Sequence, residues 1–120
     1  MARSKEETNN QIVVIKYCDT IHLPIVHIPN EGKRSYATAS VLKAMGLRPG
    51  FPDLFIPRAH GKYHGMFIEM KSEKGKITEE QSYWLSRLSL DGYAVKVAHS
   101  STEAIKAINK YIDLDKEAQK

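Results

Sequence analysis

Hydrophobic positions along the chain follow two periods, and the points where one gives way to the other divide it into elements. From about Lys5 to Cys18, two polar turns lead into Ile12, Val13, Val14, Ile15 and Tyr17, which predicts a first helix. The β-branched content of its second half leaves a strand at that end open. "LPIVHIP" reads as a short strand bounded by Pro24 and Pro29, and "NEGKRS" as the loop after it. About Thr38 to Met45 is a short helix stopped by Gly46, and "RPGFP" is a turn. "DLFIP" and "MFIEMK" are two strands joined by "RAHGKYHG". Beyond the turn "SEKGK", Thr78 with Gln81 is a capping-box pattern opening a helix whose apolar face is Trp84, Leu85 and Leu88. "YAVKVAH" is a strand, and Ser100 with Glu103 is a second capping box. It opens a last helix that buries Ala104, Ile105, Ile108, Tyr111 and Ile112. Helix, strand, helix, two strands, helix, strand, helix describes an α/β domain with a mixed sheet.

Length and composition narrow this reading. One hundred and twenty residues suit a single domain, 1–120, with a core of about 5–112 and a charged tail over 113–120. Eighteen Lys and Arg against fourteen Asp and Glu leave a net charge of +4, which permits a polyanionic partner without requiring one. Cys18 is the only cysteine, so an internal disulfide and a cysteine zinc site are excluded, and a small buried core thiol is expected. The longest aliphatic run, Ile12 to Ile15, cannot span a bilayer, and "MARSKEETNN" lacks a signal-peptide stretch. A cytoplasmic location with no membrane partner is the expectation.

Candidate chemistry lies in the two central strands. Side chains alternate along a strand, so Phe67, Glu69 and Lys71 share one face while Met66, Ile68 and Met70 share the other. A carboxylate and an ammonium buried together cost several kcal/mol unless each finds a partner or a metal. Asp53, directly after Pro52, lies beside Glu69 if the two strands are neighbours. Paired carboxylates repel, and a divalent cation relieves them; hard oxygen donors suit Mg²⁺ or Mn²⁺ better than zinc. The plainer alternative makes Glu69 and Lys71 a solvated pair and Asp53 an ordinary turn residue.

Pro52-Asp53 followed by Glu69-Met70-Lys71 resembles the PD-(D/E)XK nuclease signature. "HIPNEGKRS", "LKAMGLRPGFPDL", "YHGMFIEMKSEKGKITEEQ" and "GYAVKVAHSSTEAIKAI" are together similar to the virus-type replication-repair nuclease (VRR-NUC) branch, over about residues 5 to 112. The resemblance implies a restriction-endonuclease-like core, a mixed central sheet flanked by helices. It implies that Asp53, Glu69 and the backbone carbonyl of Met70 hold a catalytic Mg²⁺ or Mn²⁺, and that Lys71 contacts the attacking water. The family's first-helix glutamate, followed four residues on by glutamine, corresponds to Glu7 and Gln11, with Glu6 as a neighbouring choice. Gln81 corresponds to a glutamine supporting the metal site, a role hard to combine with that of a helix cap.

Phosphate contacts are expected from Arg34 and Lys74, with Lys33, Lys62 and His64 in loops flanking the carboxylates. The implied activity is DNA endonuclease action on branched, four-way junctions by a homodimer in a bacterial or phage-infected cell, with metal-activated water cutting the phosphodiester. A less selective nuclease for flaps, single strands or duplex ends is a second reading. A non-catalytic nucleic-acid-binding module, which the intact Asp53, Glu69 and Lys71 set argues against, is a third.

Overall fold

The computed structural model describes residues 4–30 and 35–118. Its elements run in order as helix α1 (Lys5–Thr20), strand β1 (Val26–His27), helix α2 (Tyr36–Ala44), strands β2 (Leu54–Ile56) and β3 (Met66–Met70), helix α3 (Glu79–Leu90), strand β4 (Ala94–Ala98), and helices α4 (Ser101–Ile112) and α5 (Leu114–Ala118). The helices start where serine and threonine caps dictate. Ser4, Ser35, Thr78 and Ser100 each accept a hydrogen bond from the backbone N–H three residues on. The Ser35 cap begins α2 at Tyr36, two residues earlier than its apolar pattern suggests.

Three segments depart from the sequence reading. The β-branched end of the first helix stays helical, because Val14 and Cys18, one turn apart, are both fully buried in the core; tertiary burial overrides local propensity. The first strand shrinks to two exposed residues between prolines that cannot donate to a ladder. The expected charged tail instead forms α5. Leu114 packs on the core, Asp115 Oδ1 accepts from the Gly61 N–H at 2.6 Å, and Oδ2 lies 2.9 Å from His60 Nδ1.

The sheet order is β1-β2-β3-β4, antiparallel across the first two pairs and parallel between β3 and β4. Leu54 pairs with Ile68 and Phe55 with Phe67, so the two faces of the sheet are sharply different. One face presents Leu54, Ile56, Met66, Ile68, Met70 and Ala98 to Val14 and Cys18 of α1 and to Ala104, Ile108 and Tyr111 of α4; this is the aliphatic core. The other face is aromatic. Phe55 stacks on Phe67, and Phe51, Trp84 and Tyr93 meet this pair or each other edge-on at 5.2–6.2 Å. Cys18 is the core thiol expected, and burial, with the Asp19 carboxylate beside it, pushes its pKa up to about 11.

Candidate active site

The turn before β2 brings the first site residue against α3. Gly50 has a φ of +85°, and a Cβ there would meet Glu80 atoms at 2.6 Å and the Gln81 nitrogen at 2.7 Å. Only glycine permits that approach without strain. The contact sets the Pro52-Asp53 entry beside the first turn of α3.

Asp53 stands one residue before β2, and the pairing of Leu54 with Ile68 carries it opposite Glu69 on the aromatic face. Both carboxylates are buried, at 6% and 4% exposure. Asp53 Oδ2 accepts from the Met70 N–H at 2.8 Å, which ties its orientation to the end of β3. The Lys71 N–H donates to the Ala98 carbonyl at 2.8 Å, so the ladder with β4 extends one residue past β3. Alternation then turns the half-buried Lys71 side chain to the face that holds Glu69. Asp53, Glu69 and Lys71 thus share a face, as alternation predicts.

Gln81 corrects an expectation. Its two functional ends serve two roles at once: Oε1 accepts from the Thr78 N–H at 2.8 Å and completes the capping box, while Nε2 donates to Glu69 Oε2 at 3.1 Å. An amide carries an acceptor and a donor on opposite corners, so cap and carboxylate support are compatible.

α1 reaches the same end of the sheet. Glu6 Oε2 accepts from the Glu73 N–H at 2.7 Å in the turn after β3, and Gln11 Nε2 lies 3.1 Å from His27 Nδ1, itself 3.2 Å from the Asp53 carbonyl oxygen. The tautomer of His27 decides which neighbour it bonds: a bare Nδ1 accepts from Gln11, and a protonated one donates to Asp53. Glu7 is half-buried and shares an α1 face with Gln11. Glu6 thus pins the turn after β3. Among the described residues no three His, Cys, Asp or Glu side chains are grouped so as to hold a metal ion. His27 is a neighbour of Asp53 that the sequence reading did not name, and a lone histidine within the apolar "IVHIP" was the available signal.

Among the expected phosphate contacts, Lys74 lies exposed in the turn directly after Lys71. Lys33 and Arg34 lie outside the described residues. Lys62 and His64 are not brought to the carboxylates. Their loop joins the C-terminal end of β2 to the N-terminal end of β3, three residues or about 10 Å along the hairpin from Asp53. Lys62 sits over the Tyr63 ring at 5.5 Å, and His64 packs edge-on to Tyr93. The loop faces α4 and α5, where Tyr111 donates to the Arg58 carbonyl at 2.6 Å. Proximity in sequence to two site strands had said nothing about which end of the hairpin the loop occupies.

The donor set fits a hard divalent cation: two buried carboxylates on neighbouring strands, oxygen donors only, with their mutual repulsion as the reason to accept a cation.

An aspartate entering one strand, a Glu-Met-Lys run closing its antiparallel neighbour and a mixed sheet flanked by helices define a nuclease core of the PD-(D/E)XK type. A model of the VRR-NUC domain matches residues 1–102. A solved structure described as a "VRR_NUC domain protein" is similar, with a TM-score of 0.80 and 30% identity, covering 93% of this chain and 92% of that one. No curated protein matches the sequence. The chain belongs to the VRR-NUC domain family, and its class is therefore that of a nuclease, a hydrolase acting on nucleic acid. Nucleases of this type generally use divalent metals. No helix of the described residues is long and apolar enough to cross a membrane.

Proposed function

We propose that this domain is a Mg²⁺- or Mn²⁺-dependent DNA endonuclease that cuts four-way junctions as a homodimer. The observation that carries the reading is the burial of Asp53 and Glu69 side by side at the mouth of β2 and the end of β3, with Lys71 next to them. Asp53, Glu69 and the Met70 backbone carbonyl would hold the cation, with Glu7 contributing from α1. A bound divalent ion there would neutralise phosphate charge and lower the pKa of water.

The chain's own groups set the rest. The Met70 N–H fixes Asp53, and Gln81 Nε2 fixes Glu69, so the carboxylates meet the cation without reorganising. The Lys71 ammonium orients the attacking water and balances charge growing on the phosphate oxygens. Attack is in line with the departing 3′-oxygen, and 5′-phosphate and 3′-hydroxyl ends result. Support for a second copy comes from exposed apolar side chains on α1 and the edge strand, Ile12, Val13 and Val26, each 46–48% exposed. Two copies would present two cutting sites to paired strands of a junction.

The test is incubation of the purified protein with labelled four-way junction, flap, duplex and single-stranded DNA in Mg²⁺, Mn²⁺, Ca²⁺ or chelator. Junction cutting in Mg²⁺ or Mn²⁺, with binding alone in Ca²⁺, is the expected result. A monomer by light scattering that prefers flaps or single strands would replace the junction reading with that of a less selective nuclease.

A further inference from the structure

β4 is an edge strand of the sheet, and a groove lies between it and α4. The groove has a volume of about 610 Å³ and runs between β4 and α4 from Glu103 to Leu114. From Glu103 to Tyr111 the α4 wall rises about 12 Å. Its polar lining is unbalanced. Lys96 projects from β4 toward α4, and Lys106 and Lys110 stand one turn apart on α4, against a single carboxylate, Glu103. None of the three ammonium groups forms an ion pair or hydrogen bond among the described residues. Tyr63 and Tyr111 line the same groove, and Leu114 of α5 closes one end.

We infer that this groove is a second nucleic-acid contact, in which Lys96, Lys106 and Lys110 hold the phosphodiester backbone of one strand of the DNA whose cleavage is proposed above. Two features favour a strand over a small anion. Lys106 and Lys110 are about 5–6 Å apart at Cβ, the order of the spacing between successive phosphates; and lysine supplies the point charges that a backbone track uses without reading sequence. The groove lies on the α4 face of the sheet, with Lys96 beside Ile68, whereas Asp53, Glu69 and Lys71 lie on the aromatic face, so a strand leaving the carboxylates reaches the groove round the edge strand β4. Most of its helical wall lies beyond the residues matched by the family model.

The inference rests on the nuclease reading, and the experiment keeps the two apart. Binding of labelled duplex and junction DNA is measured in chelator by fluorescence anisotropy from 50 to 300 mM salt, and single-turnover cutting at saturating DNA is measured separately. The double variant Lys106→Gln/Lys110→Gln should bind about tenfold to sixtyfold more weakly at 0.1 M salt, with the slope of log affinity against log salt shallower by about two. Its cutting rate at saturation should match wild type. A control with the same charge change at Lys16 and Arg87 should lose much less. Equal loss in the control, an unchanged salt slope in the test variant, or inorganic phosphate competing at micromolar concentration would each overturn the strand contact. If Glu69→Ala still cut DNA, the nuclease site would fall instead, whatever the groove variant did.

Discussion

The β2–β3 hairpin ends in two clusters of charge that its strands hold about 10 Å apart, and the clusters follow opposite logic. At the Asp53–Glu69 end, like charges are buried together and each is oriented by a neutral donor, the Met70 N–H or the Gln81 amide. At the Arg58–Gly65 end, unlike groups meet near the surface: Asp115 receives the Gly61 N–H and faces His60. The second arrangement anchors the C-terminal helix. The first sets two carboxylates side by side, an arrangement suited to a cation.

The sharpest way to break that contrast is at the carboxylates. Asp53→Asn keeps an oxygen to accept from Met70, so the fold should persist, with cutting reduced by at least about 10²–10³-fold. Mg²⁺ should raise the melting temperature of the wild type and leave that of Asp53→Asn unmoved, measured by calorimetry in chelated and metal-loaded buffer. Next in size is Gly50→Ala. Its positive φ and the 2.6 Å approach to Glu80 predict a loss of about 2–4 kcal/mol in urea unfolding, with displacement of the α3 start.

Gln81→Glu separates two roles in one side chain. A carboxylate can still accept from the Thr78 N–H, so helix content by circular dichroism should hold. It also faces Glu69 with a second negative charge, and cutting should fall about tenfold or more. Wild-type activity in this variant would reduce Gln81 to a cap.

The smallest effect belongs to the far end. The Gly61 N–H, then the His60 hydrogen bond, hold the Asp115 carboxyl below its usual pKa. A carboxylate whose folded pKa is depressed contributes stability above its unfolded pKa, near 3.9, and loses it as pH falls through the lower folded value. Asp115→Asn should therefore melt slightly below wild type at pH 7, and the two should converge below about pH 4. Its DNA cutting at pH 7 should equal that of wild type.

The order of elements was legible because caps and periodicity are local. Thr78 and Ser100 mark helix starts through the next three residues, and the alternation in "MFIEMK" fixes which side chains share a face whatever the sheet order. That Glu69 and Lys71 share a face was readable for the same reason. Features that depend on tertiary placement were not. α5 is five residues, "LDKEA", whose docking rests on Leu114 and Asp115 and leaves no periodic trace. The far position of "RAHGKYHG" follows from hairpin pairing, to which its cationic composition is blind. The shared use of Gln81 depends on Glu69 lying within reach of the first turn of α3, a distance set by the glycine approach at Gly50.

That shared use couples two things that would otherwise vary independently. The amide that closes the first turn of α3 also donates to Glu69, so fraying of that turn removes one of the contacts that orient the glutamate. Opening one helical turn takes far less free energy than unfolding the domain. The local stability of α3's N-terminus therefore bears on how firmly Glu69 is held, and amide exchange at Gln81 would report that stability directly.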